Sequence, residues 1–173
     1  MQTAAIRTSE TNPAKLTRLY VEEFRLSAVS KGETVAVVSD LGTRREYVQS
    51  AFAAAEELGA DVYELCVNSL PGWTRVGVPT IGQCKGTLEA VCAADLVVIF
   101  HVPLFSRWLK TVMDGGTRVL MIIDAPDALA QLMSPPGLKE ACKHAESIYR
   151  STRSVRVYSD AGTDLTYSCG EYP

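Results

Sequence analysis

At 173 residues, with 47% hydrophobic and 21% charged side chains, the chain has the size and make-up of one ordinary globular domain, which excludes a disordered or collagen-like polymer. A formal net charge of -3 and a pI near 5.4 offer no basic field to a phosphate backbone, so nucleic acid is not an expected partner. No apolar run approaches the ~20 residues of a membrane helix, and Met1 to Asn12 lacks the basic and apolar regions of a secretory signal, so a cytoplasmic protein is expected.

Along the chain, Pro13 to Ser30 carries Leu16, Leu19, Tyr20, Phe24 and Leu26 at a loose helical spacing. This predicts a helical preamble over residues 1–32, ahead of an α/β domain over 33–173. After Lys31-Gly32, Thr34 to Ser39 reads as a strand apolar on both faces, as parallel strands covered by helices are. Thr43 with Glu46 three residues on has the form of a capping box, opening a helix that runs through Leu58 and stops at Gly59. Asp61 to Val67 is the next strand. Asn68 to Gly86, rich in Gly and Pro and holding Trp73, reads as a long surface loop.

A short helix is expected over Thr87 to Ala94, a strand over Asp95 to Phe100, and a helix over Phe105 to Met113 closed by Asp114-Gly115-Gly116. Thr117 to Ile123 follows as a strand and Asp127 to Met133 as a short helix. Ser134-Pro135-Pro136 then supplies a cap and a proline for a longer helix to about Arg150. Ser154 to Tyr158 and Leu165 to Cys169 flank a turn-rich stretch, Ser159 to Asp164, and read as a hairpin. Strands alternating with helices predict an α/β fold: an open, doubly wound, mostly parallel sheet with helices on both faces and an antiparallel hairpin at the C-terminal end.

Ligands of such sheets bind at the carboxyl ends of the strands, which selects the segments after Ser39, Val67, Phe100 and Ile123. Ser39-Asp40-Leu41-Gly42-Thr43 stands where a dinucleotide fold would place Gly-x-Gly-x-x-Gly, and no Walker-type Gly-Lys-Ser/Thr occurs, so no nucleotide cofactor is expected. His101 follows a buried strand directly, the right position for a general base or a substrate contact, and equally for a histidine satisfied by backbone at a strand end. Asp40 and Asp124 end strands at the same edge and could be cleft acids, although capping a loop is the commoner use of such residues. His144, beside Lys143 and Glu146 on a helix, reads as a solvated surface residue. There is no Gly-x-Ser-x-Gly elbow and no His-x-x-x-His pair. Five cysteines without a Cys-x-x-Cys pair, and only two histidines, argue for buried or half-buried thiols and no metal ligands within the chain.

Three stretches carry a resemblance: Ala94-Asp95-Leu96-Val97-Val98, Gly115-Gly116-Thr117-Arg118-Val119-Leu120, and Ala161-Gly162-Thr163-Asp164-Leu165 followed by Gly170-Glu171-Tyr172-Pro173. In order and spacing they resemble the N-terminal domain of the 2,5-dihydroxypyridine 5,6-dioxygenases, whose superfamily includes the M29-type metallo-aminopeptidases. The resemblance implies a two-domain, homo-oligomeric enzyme of about twice this length. Its ferrous iron, Fe(II), would be held by histidines and a carboxylate outside this chain. It further implies that the loop after the third strand reaches a small aromatic substrate, with His101 as a catalytic group and Leu104, Phe105 and Ser106 around the ring. A histidine common in the family falls at Phe105, with His101 four residues earlier as its possible substitute. Two other functions fit the residues: an M29-like metallo-aminopeptidase, suggested by Gly162-Thr163-Asp164-Leu165-Thr166, and a self-sufficient, non-catalytic binding domain.

Overall fold

The structure, a computed structural model, describes residues 12–68, 81–103, 105–123, 125–133, 135 and 137–170. They form two compact units, Met1–Met133 and Ser134–Pro173.

The first unit is organised by four short parallel strands, β1 (Thr34–Asp40), β2 (Asp61–Val67), β3 (Leu96–Ile99) and β4 (Arg118–Met121), in the order β2-β1-β3-β4. Registers align Val35 with Val62 and Leu96, and Val98 with Leu120. β1 and β3 are central and apolar on both faces, so a helix layer must cover each side. On one side Val35, Val37, Leu96 and Val98 pack with α1 (Pro13–Leu26), α2 (Arg45–Glu57) and α5 (Pro126–Leu132), through Leu16, Tyr20, Phe24, Ala51 and Leu129. On the other, Ala36, Val38, Val97 and Ile99 pack against α3 (Thr87–Cys92) and α4 (Arg107–Asp114), through Val91, Trp108 and Val112. Each fully buried Val or Leu contributes roughly 1.5–3 kcal/mol. The expected doubly wound sheet with two helical layers is thus observed.

Three helices end in the same device. In α1, α2 and α4 the residue after the C-cap has positive φ, and its N–H and the next one reach back to the last turn: Ala28 and Val29 to Arg25 and Phe24, Gly59 and Ala60 to Glu56 and Ala55, Gly116 and Thr117 to Met113 and Val112. Gly59 and Gly116 were expected stops. Ala28 does the same work at φ 59 without the freedom of glycine. A Cβ on Gly59 would also come within 3.1 Å of Lys31 Cγ.

The second unit contains α6 (Leu138–Ser151) and an antiparallel hairpin of β5 (Ser154–Tyr158) and β6 (Asp164–Ser168), with Val155 opposite Tyr167 and Val157 opposite Leu165.

Several expectations need correction. The capping box is absent: α2 starts at Arg45 with Arg44 at its N-cap, because the Thr43 hydroxyl instead donates to Asp40 Oδ1 at 3.0 Å. α4 starts at Arg107 rather than Phe105, since Phe105 takes φ 61 and Ser106 becomes the N-cap. α6 starts at Leu138 behind Gly137, with φ 82, and not at the prolines. Cys66, Cys84, Cys92 and Cys142 are exposed and only Cys169 is half-buried, because they sit near strand and helix ends, in a bend, or on the uncovered side of α6. Trp73, Asp124, Ser134 and most of the long loop lie outside the described residues.

Candidate functional site

Strand order determines where a ligand can enter. From β1 the chain crosses to β2 at one edge, and from β3 it crosses to β4 at the other, so the connections leaving the carboxyl ends of β1 and β3 run in opposite directions, the point at which ligands of such sheets bind. The segment after β1 is Leu41-Gly42-Thr43, and the segment after β3 begins with Phe100 and His101.

The β1 side is a closed turn. Asp40 Oδ1 accepts from the Gly42 N–H at 2.8 Å and from the Thr43 hydroxyl at 3.0 Å, while the Asp40 N–H donates to Thr43 Oγ1 at 2.9 Å. The carboxylate is engaged in capping its own loop, the commoner of its two readings. Leu41, at the tip, is 75% exposed.

The β3 side is built differently. Phe100 is half-buried and packs against the core, its ring 5.9 Å from that of Tyr20 and 6.1 Å from that of Tyr47, and its N–H donates to Val38 O at 3.1 Å. Burial pushes the Tyr20 phenol well up, so it stays neutral within this aromatic group. His101, two residues past the end of β3, is 4% exposed. Four residues on, Phe105 is 86% exposed in the left-handed region, a conformation that costs a side-chain-bearing residue about 1–2 kcal/mol. Ser106, immediately after it, is buried, and its N–H donates to Pro103 O at 3.1 Å. A large aromatic side chain held outward by a strained backbone is the kind of feature that concentrates at binding sites. Leu104 lies outside the described residues. Two residues past β4, Ile123 is also exposed, so exposed apolar side chains occur in the segments that follow β1, β3 and β4.

A polar cluster near the same edge was not foreseen. On β1 the Ser39 hydroxyl donates to Glu64 Oε1 on β2, and Arg45 Nη1 at the start of α2 donates to both Glu64 oxygens at 2.7 and 2.9 Å. The Arg45 guanidinium holds the Glu64 carboxyl below the usual glutamate range, against the opposing effect of partial burial. A glutamate interrupting the apolar run Val62 to Val67 was the available signal.

No three His, Cys, Asp or Glu side chains among the described residues come together as a metal site. The two histidines fall one in each unit, and His144 is exposed. The described residues therefore do not fit a ferrous ion, and no step is assigned to one. Nor, among the described residues, is any helix long and apolar enough to cross a membrane.

Comparison with known proteins narrows the chemistry. The family model described as 2,5-dihydroxypyridine 5,6-dioxygenase (NicX) matches residues 15–173. The curated 2,5-dihydroxypyridine 5,6-dioxygenase of Pseudomonas putida KT2440 is 30% identical over 168 residues, covering 92% of this chain and 48% of that protein. A solved structure of the 2,5-dihydroxypyridine dioxygenase from Pseudomonas putida KT2440 superposes with a TM-score of 0.74 at 29% identity, over 94% of this chain and 49% of that one. The chain spans about half the length of these relatives. With the family model matched over residues 15–173, the chain belongs to the 2,5-dihydroxypyridine 5,6-dioxygenase family.

Proposed function

We propose that the chain forms the N-terminal part of a non-haem Fe(II), extradiol-type ring-cleaving dioxygenase acting on a small hydroxylated heteroaromatic such as 2,5-dihydroxypyridine. The observation that carries this reading is His101, buried at the divergence of β1 and β3 and followed by the outward, strained Phe105, in a chain of this family. In such an enzyme the iron supplies oxygen activation, and its ligands belong to polypeptide beyond the described residues. The described residues do something else. The His101 imidazole is a group able to take a proton from a ring hydroxyl. Phe105 offers a flat apolar face to an aromatic ring, and the strain in its backbone fixes that face before the ring arrives. The buried Ser106 hydroxyl is a polar group close behind, suited to orienting a ring substituent. A cytoplasmic homo-oligomer is part of the same reading.

The test is anaerobic loading of the whole gene product with ferrous iron, followed by admission of oxygen and measurement of 2,5-dihydroxypyridine absorbance. Iron-dependent loss of that absorbance is expected; absence of both iron binding and turnover would sink the reading. In the active enzyme, His101→Ala should lower kcat by about 10²–10⁴-fold, the usual worth of a general base, with iron content unchanged.

A further inference from the structure

The segment from Leu138 to Ser168 is patterned to enclose a core and encloses none. On α6, Leu138, Ala141, Cys142, Ala145, Ile148 and Tyr149 recur at the three- and four-residue spacing of one helix face. Lys139, Lys143, Glu146 and Arg150 take the rest of the surface. All six residues of the apolar face are exposed. The hairpin repeats the pattern: Val155, Val157, Leu165 and Tyr167 share one face, while Arg156 and Asp164 are ion-paired at 2.8 Å on the other. On that apolar face Leu165 is 56% exposed and even Tyr167 is 40% exposed. Among the described residues from 137 to 170 none is buried; the nearest to it are Thr152, Val155 and Cys169. Helix and hairpin are linked by the Tyr149 and Tyr167 hydroxyls, 2.8 Å apart.

Such a segment does not hold itself together. A two-stranded hairpin is marginal in water without further packing, and a unit below about 40 residues needs a disulfide, a metal or association to be stable. Its cysteines, Cys142 and Cys169, are free, and no metal-binding cluster occurs among the described residues. Two amphipathic elements with their apolar faces in water therefore mark an interaction surface.

We propose that these faces dock further polypeptide of the dioxygenase family, the counterpart of the part of the Pseudomonas putida protein that this chain does not span, and that Ser134–Pro173 are opening elements of a second domain. The relative's additional half is a domain's worth of chain and can supply an interior. A second copy of this segment brings only another helix and hairpin with no interior of their own. The proposal rests on the family assignment above but not on iron, His101 or turnover.

Hydrogen exchange tests it without any activity readout. In the 173-residue chain, amides of α6, β5 and β6 should exchange at least about 100-fold faster than those of β1 and β3, at every protein concentration. Joining the unmatched part of the Pseudomonas putida dioxygenase to the C-terminus should slow them by at least about 10-fold, and Leu165→Lys in that fusion should abolish the gain while leaving β1 and β3 unchanged. Protection that rises with the concentration of the unfused chain would show a second copy as the occupant and overturn the proposal. Strong protection in the dilute unfused chain would overturn it too, as would a fusion whose added part is protected while β5 and β6 are not. Loss of dioxygenase activity alone would leave it standing.

Discussion

Residues 12–133 and residues 137–170 use the same vocabulary of amphipathic helices and hydrogen-bonded strands, yet only the first region has an interior. β1 and β3 are closed in by helices on both faces, and nearly all of their side chains are buried. β5 and β6 pair as regularly, but their apolar face is left in water. Regular backbone pairing is therefore no measure of stability here. What separates the regions is whether a second layer covers the apolar face, since covering it is the dominant favourable term in folding.

That contrast is open to direct attack. The largest effect is expected from a charge placed in the covered region: Val98→Asp should cost more than about 4 kcal/mol and abolish the cooperative urea transition, because β3 offers the carboxylate no partner. Next comes the arginine that ties the first region together. Arg118 Nη1 donates to Ser27 O at 2.7 Å and Ala28 O at 2.6 Å, and Nη2 lies 2.7 Å from Glu33 Oε1, so one side chain joins β4 to the end of α1. Arg118→Met should lower stability by about 2 kcal/mol in the same assay, the cost of leaving these partners unmade.

A smaller effect, of opposite sign, is expected at Ala28, whose φ of 59 suits glycine. Ala28→Gly should raise stability by about 1 kcal/mol, seen as a higher urea midpoint. Acid sensitivity provides a further test. Arg45 lowers the Glu64 pKa and Arg118 lowers that of Glu33, so in both cases the folded chain holds the ionised form more strongly than the unfolded chain does. Their stabilisation is present above the unfolded glutamate pKa and drains away as pH falls through the lower, folded values. Glu64→Gln should flatten the loss of stability on acidification below the ordinary glutamate range, measured by urea midpoints across pH. The smallest effect belongs to the uncovered region: Leu165→Ala in the 173-residue chain should change the urea midpoint by no more than about 0.5 kcal/mol, as an exposed substitution does. A large loss there would mean that the hairpin is covered after all.

Much of the fold was legible because periodicity and punctuation act locally. Thr34 to Ser39 announced a strand buried on both faces, and Gly59 and Gly116 announced helix ends, since glycine closes that turn at positive φ without strain. Errors arose where a side chain had a choice of partner. Thr43 could have capped a helix but bonded to Asp40, and Phe105 could have opened α4 but was turned out ahead of it. At the candidate site, position picked out His101, because the residue after a central parallel strand can be found by counting. Glu64 with Arg45 could not be found that way, as their pairing depends on the register of β2 against β1 and on where α2 begins.

By itself the sequence determined the alternation of strands and helices and the two-sided burial of the central strands, which follow from the local order of apolar, polar and turn-forming residues, and the family, which followed from resemblance to known relatives. Only the tertiary structure decided which strands are neighbours, and so that the connections part between β1 and β3. It alone showed that Phe105 stands out into solvent and that the apolar faces of α6 and the hairpin go uncovered. The physical reason is that periodicity states which face of an element is apolar, whereas burial depends on a second surface that the element's own residues do not encode.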